Sequence, residues 1–241
     1  MYYANNQWNL QACKTCHGAD YKGGTAGVSC LTCHTATNGP ENCITCHGNS
    51  DHINPPKALN GDTLETSPGV GTHMHHLFSP DFSAAVACSE CHTTVNNFKD
   101  TSHFGAAPTG YAALNFGPLA NTQTSGVTPN PQYDRSTNTC SNVYCHGSFK
   151  GGNQSFVPTW TNPESVSCGS CHGDAATHNP TPGAPNNIVS PHYAFFWDPN
   201  TNTYLCYQCH NSVINSNGEI VTPEKHINGV VNVYEGMRKH K

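Results

Sequence analysis

Two stretches of the chain alternate apolar and polar side chains with the period of a β-strand: Tyr111-Ala112-Ala113-Leu114-Asn115-Phe116-Gly117 and Val230-Val231-Asn232-Val233-Tyr234-Glu235-Gly236. Short strands are expected at both. His73 and His76 stand three residues apart, which puts them on one face of a helical turn and aims His75 elsewhere. Most of the remainder is turn-forming. Residues 53–71, with Pro55-Pro56, Gly61, Pro68-Gly69 and Gly71, read as a linker; 118–139 reads as a Ser/Thr/Asn/Pro-rich loop and 179–191 as a second, Pro-rich linker. No apolar run reaches the length of a membrane-spanning helix.

A chemical repeat is laid over this pattern. Two cysteines followed at once by a histidine occur seven times: Cys13 and Cys16 with His17, Cys30 and Cys33 with His34, Cys43 and Cys46 with His47, Cys88 and Cys91 with His92, Cys140 and Cys145 with His146, Cys168 and Cys171 with His172, and Cys206 and Cys209 with His210. All 14 cysteines are used. Two thiols that add to the vinyl groups of a haem, beside a histidine that binds its iron, make a c-type haem site. A zinc ribbon or a disulfide framework does not explain a histidine directly after every second cysteine. The copy at Cys140–His146 has four residues between its cysteines instead of two. Both are expected to attach one haem, the alternative being a free Cys140, an unusual thiol in an exported protein.

Composition changes the fold expected. With 241 residues for seven motifs, about 34 each, no cofactor can have a protein core of its own. Hydrophobic residues are 35%, with 22 Gly and 17 Pro. The expected fold is mostly irregular, with low regular secondary structure, short helices and a few short strands wrapped around a stacked chain of seven covalently bound haems c. Charged residues are only 10% and the net charge is −5, so there is no basic patch for nucleic acid. Haem propionates make the holoprotein more acidic still. With the first motif beginning at Cys13, no leader is expected ahead of it, and residue 1 is expected at or near a processed end.

Only Thr35–Asn42 separate His34 from Cys43, a span of at most about 29 Å, so the second and third haems are expected to be neighbours. His52 follows the Cys43 motif as His178 follows the Cys168 motif. His73–His76 precede the Cys88 motif and His103 follows it; His192 precedes the Cys206 motif and His226 follows it. This duplicated unit divides the chain into 1–69, a three-haem region with linker, and 70–241, a four-haem region. Of 16 histidines, nine lie outside the motifs. His52, His73, His76, His103, His178, His192 and His226 are expected as distal ligands, His75 as a bystander, and His240 as solvated in a basic tail. Methionine ligation has little to draw on, since only Met1, Met74 and Met237 are present. Trp8, Trp160, Trp197 and Tyr2-Tyr3 are expected to pack on porphyrin edges.

His73–His76-Leu77, Cys88–His92, His103, Cys140-Ser141-Asn142-Val143-Tyr144-Cys145-His146-Gly147, Pro158-Thr159-Trp160, Cys168–Gly173 and His226-Ile227-Asn228-Gly229 together resemble the CxxxxCH/CxxCH multihaem cytochromes of metal-respiring bacteria. The resemblance covers about 70–236 and implies outward electron transfer at the cell envelope. Haem density is also similar to that of extracellular cytochromes that polymerise into filaments. This second likeness implies a head-to-tail polymer, with His52 or His240 as candidates to ligate a neighbour's iron; the Tyr2, Tyr3 and Trp8 segment and the C-terminal tail are expected to pack on neighbouring copies, the alternative being that haems of the same subunit hold both ends.

The function expected is electron carriage by bis-histidine haems to an extracellular acceptor or another cytochrome, by an exported protein at the cell surface or outside the cell. The alternatives are a soluble periplasmic shuttle and a multihaem nitrite-type reductase. An enzyme needs an iron with an open position. Here histidines exceed irons and no motif replaces its histidine by lysine, so no catalytic residue is expected.

Overall fold

The computed structural model describes residues 9–49, 57–58, 60–78, 82–98, 100, 103, 112–124, 126–163, 166–172, 197–198, 203–204 and 206–232. The backbone separates into two compact units, Met1–Val70 with Thr93–Ala113, and Gly71–His92 with Leu114–Lys241. Regular structure is sparse in both, as the composition implies.

In the first unit, helix α1 (Gln11–His17) carries the first motif, Cys13 and Cys16 included, and stops at Gly18, whose φ of 82° no ordinary side chain favours. The chain then folds back against the helix end. A side chain at Gly24 would meet the Cys16 carbonyl oxygen at 2.6 Å, so only glycine fits this return. The second and third motifs begin in single 3-10 turns, Cys30–Thr32 and Cys43–Thr45. Ser29 caps the one by accepting from Leu31 N at 3.2 Å, and Asn42 caps the other by accepting from Ile44 N at 3.0 Å. Buried Tyr21 ties the motifs together by donating to Glu41 Oε1 at 2.7 Å; the same oxygen takes Lys14 Nζ at 2.7 Å.

The second unit opens with helix α2 (His73–Phe78) and a 3-10 turn at Cys88–Glu90. An antiparallel hairpin follows, β1 (Gln132–Asp134) with β2 (Thr139–Ser141), in the register Tyr133↔Cys140. A 3-10 turn at Tyr144–His146 and helix α3 (Cys168–His172) carry the fifth and sixth motifs. The hairpin β3 (Trp197–Asp198) with β4 (Thr203–Tyr204) leads into helix α4 (Cys206–His210), the seventh motif.

Strands expected at 111–117 and 230–236 are not formed where the structure describes those stretches. Leu114 makes one bridge, to His92, and residues 230–232 make none. The reason is local: Asn115 N donates to Cys91 O at 2.9 Å and Gly117 N to Glu90 O at 3.1 Å, so the fourth motif takes donors a partner strand would need. Tyr111 and 233–236 lie outside the described residues. The loop expected over 118–139 instead contains β1. Asp134 Oδ1 accepts from Ser136 N and Oγ at 2.8 and 2.6 Å, and Asn138 turns the chain at φ 55°.

The polypeptide's own apolar core is slight. Among the described residues it consists of Tyr21, Ala58, Val70, Ala120, Val143 and Val213, with no leucine or phenylalanine in it.

Candidate haem-iron centres

One helical turn brings the parts of each short motif together. The histidine N–H donates to the first cysteine's carbonyl, His34 to Cys30 at 2.9 Å, His47 to Cys43 at 3.0 Å and His92 to Cys88 at 2.9 Å. Residues i, i+3 and i+4 therefore share a face, both thiols beside the imidazole. The wide motif reaches the same end differently. Only Tyr144–His146 form the turn, while Cys140 is held in β2 and Asn142, at φ 55°, reverses the chain between them. Val143 is buried beneath, with its carbonyl accepting from His146 N at 3.0 Å.

Among the described residues, four motif histidines each face a second imidazole. Ring centres are 6.0 Å apart for His47 and His103, 6.1 Å for His92 and His73, 6.0 Å for His146 and His76, and 5.9 Å for His172 and His226. Two imidazoles joined to one metal by bonds of about 2 Å, each ring centre about 1 Å behind its nitrogen, have centres roughly 6 Å apart. The spacing fits one iron between each pair. Among the described residues no cluster of three or more His, Cys, Asp or Glu could hold an ion. Two protein donors per centre suit a metal whose other positions belong to a macrocycle.

The rings are also set for ligation. His17 Nδ1 donates to Val28 O at 2.9 Å, His76 Nδ1 to Thr72 O at 2.9 Å, His103 Nδ1 to Phe98 O at 3.3 Å and His210 Nδ1 to Asn232 O at 2.5 Å; His226 Nδ1 donates to Phe82 O. With Nδ1 holding the proton, Nε2 is the free donor, and the carbonyl fixes the ring's orientation. Burial, then the charge of facing His76, pushes His146 down to about 4. Burial, then His226 and His210, takes His172 to about 4 as well. Burial also lowers His47, His76 and His226. These imidazoles are neutral at pH 7, the form that binds metal.

The cysteines behave as attachment points. None of the 14 is joined in a disulfide. Burial raises Cys140, Cys145 and Cys171 to about 12 and Cys91 to about 11. Such sites disfavour the thiolate that zinc requires and accept a neutral thioether. In the seventh motif, Cys206 and Cys209 stand three residues apart on α4 and both are half-buried. Burial first, then the nearness of Cys168 and Cys209, raises the Cys206 thiol. The motifs of the second unit also converge. Cys171 Sγ lies 3.9 Å from Cys145 O, Asn153 N donates to Cys171 O at 2.8 Å, and Asn115 N and Tyr144 N join the fourth and fifth motifs to one turn. Glu90 Oε2 closes that turn, accepting from Leu119 N at 2.9 Å and Ala120 N at 3.1 Å.

The sequence associated His103 with the Cys88 motif through the duplicated unit, and His226 with the Cys206 motif. The structure instead sets His103 against His47 and His226 against His172. The Phe82 carbonyl holds His226 facing the sixth motif and not the seventh, whose Cys206, Cys209 and His210 stand on α4, and His192, the other histidine of that duplicated unit, lies outside the described residues. His73 and His76 share α2 as their spacing implies, His75 on the same turn is exposed, and the two face His92 and His146. His52, His178, His192 and His240 lie outside the described residues. Spacing missed the carbonyls of Val28, Thr72, Phe98, Asn232 and Phe82 that orient the rings, because a backbone carbonyl has no signature in sequence.

Residues 139–172 match the family model described as the Geobacter CxxxxCH...CXXCH motif. These residues carry a multihaem c-type cytochrome motif. The match runs from β2 and Cys140 through the turn at His146 to the end of α3 at His172, the stretch in which the fifth and sixth motifs pack together. The other cysteine pairs, from Cys13 and Cys16 to Cys206 and Cys209, lie outside the matched residues. Motifs of this kind bind haem c covalently and point to electron transport. No curated protein and no solved structure matches the chain.

Proposed function

We propose that the chain is a heptahaem cytochrome that carries electrons to an acceptor outside the cytoplasm. Four facing histidine pairs with room for one iron carry this reading. Each bound haem supplies one-electron chemistry at its iron. The chain attaches these groups through its seven cysteine pairs, Cys206 and Cys209 forming the last, and holds the irons with His17, His34, His47, His92, His146, His172 and His210. His103, His73, His76 and His226 would hold the same irons as the facing His47, His92, His146 and His172. His52, His178 and His192 serve the remaining three, which closes the count of seven.

Two imidazoles on each iron leave no position for a substrate, so the protein is a carrier and not an enzyme. The buried rings and the carbonyls bonded to their Nδ1 atoms would hold an iron with the imidazoles already oriented, which suits a change of oxidation state without rearrangement. The acceptor is extracellular or a further cytochrome, and copies associate head to tail into a filament; a density of one motif per about 34 residues, similar to that of filament-forming cytochromes, supports this. Electron paramagnetic resonance of the oxidised protein, with carbon monoxide added to the reduced form, tests the carrier. Low-spin signals and no carbon monoxide adduct are expected, whereas a dominant high-spin species that binds the gas contradicts it. Light scattering at micromolar concentration tests the filament, which a persistent monomer would exclude.

A further inference from the structure

Trp160 lies beside both histidines that α2 sends to different motifs. Its ring centre is 4.6 Å from His73, edge-on at 86°, and 5.7 Å from His76 at 39°. The backbone fixes it in place. Trp160 N donates to Asn138 O at 2.6 Å, and Trp160 O accepts from Thr72 N at 3.0 Å, just before α2 begins. Gly71 makes the approach possible, since a Cβ there would overlap the indole Nε1, and its φ of 47° also favours glycine. Thr159 bridges to Thr139, and Cys140 N donates to Pro158 O at 3.0 Å. Residues 158–160 thus join the attachment strand of the wide motif to the histidine helix.

The two pairs differ in ring geometry. His73 and His92 lie within 19° of parallel, whereas His76 and His146 are turned 68°. Parallel and crossed axial imidazoles split the iron d orbitals differently, so two bis-histidine centres with these angles have distinct low-spin spectra. An indole edge against one ring and its tilted face against the other restrict how either can turn. The Thr72 carbonyl on His76 Nδ1 restricts the second ring further.

We propose that Trp160 is a positioning residue that fixes the ring planes of His73 and His76 together, and so keeps the centres of His92 and His146 inequivalent. This rests on the reading of those histidines as axial ligands. Trp160 acts through them and does not touch the iron.

The test compares oxidised holoprotein of wild type, W160A and W160F by electron paramagnetic resonance, with covalent haem per chain measured on each sample. Wild type is expected to show both a rhombic low-spin signal and a strongly axial one with a large g value. W160A is expected to shift or lose the strongly axial signal and one haem's share of the rhombic intensity at full haem content, the pairs His47–His103 and His172–His226 keeping theirs, and W160F, which keeps an aromatic edge against His73, to stay close to wild type. H75A, on the same turn, is expected to leave both signals unchanged. W160A with full haem content and the wild-type spectrum overturns the proposal. Should W160A fail to mature, W160L decides instead: shifted signals support the positioning role, and a wild-type spectrum overturns it. Wild-type protein without low-spin signals overturns the axial-ligand reading itself, and the proposal with it.

Discussion

The imidazoles of His172 and His226 face each other at 5.9 Å with their planes 29° apart, although the whole seventh motif, Cys206 and Cys209 included, lies between them in sequence. His226 is held from behind by the Phe82 carbonyl, and His172 packs against Phe149 at 5.1 Å. Replacing His226 by alanine is expected to open one iron of the seven. Reduced H226A should bind about one carbon monoxide per chain, read from the visible difference spectrum, while wild type binds none. An H226A protein that still excludes the gas would remove His226 from the ligand set.

His103 is expected to serve the iron of His47 and not that of His92. H103A should gain one carbon monoxide site. The site should disappear when Cys43 and Cys46 are also replaced, so that the third motif carries no haem, and persist when Cys88 and Cys91 are replaced. The opposite pattern would restore the association that sequence order suggests.

The contrast between these histidines and the motifs marks how far the sequence could be read. In the short motifs two thiols and an imidazole lie within one helical turn, so Cys30, Cys33 and His34 declare themselves by adjacency. The same holds for Cys206, Cys209 and His210, which one helix carries. The irregular fold follows from the same density of motifs. Distal ligands arrive from anywhere the chain can reach, and internal repeats in sequence need not be repeats in contact: His103 sits eleven residues after His92 yet faces His47. The spacing of His73 and His76 was legible because a helix fixes it, but their partners were not. At Leu114 the alternating pattern was real, and the backbone donors at Asn115 and Gly117 went to Cys91 and Glu90 instead of a strand. The β1 hairpin had a readable signal in Asp134, Ser136 and Asn138, which a polar composition disguised as loop.

Both cysteines of the wide motif are expected to attach one haem. Cys140 is half-buried on β2, and burial pushes its thiol up to about 12, an environment for a neutral sulfur. After alkylation and digestion, the peptide spanning 140–146 should carry haem on both sulfurs and no alkyl label. A labelled Cys140 would show single attachment.

Tyr21 is expected to anchor the first unit. Its hydroxyl donates to Glu41, its ring lies 4.8 Å from Lys14 Nζ, and only 4% of its surface is exposed. Tyr21→Phe should cost about 2 kcal/mol, the worth of a hydrogen bond to a charged acceptor, read by denaturant unfolding of holoprotein. Burial first, then the bond to Glu41, hold the phenol well above its ordinary range. A raised folded-state value means that this contribution is complete below about pH 10 and declines as the unfolded chain's tyrosine ionises above it. Y21F should lose that part of the alkaline decline. An unchanged stability and pH profile would show that the Glu41 contact contributes nothing.

The carrier rests on seven redox centres in one short chain, and coulometric titration of purified holoprotein counts them. Reversible uptake of seven electrons per chain is expected, with no carbon monoxide adduct at the reduced end point. Uptake of clearly fewer electrons, with protein concentration fixed independently, would overturn the heptahaem reading.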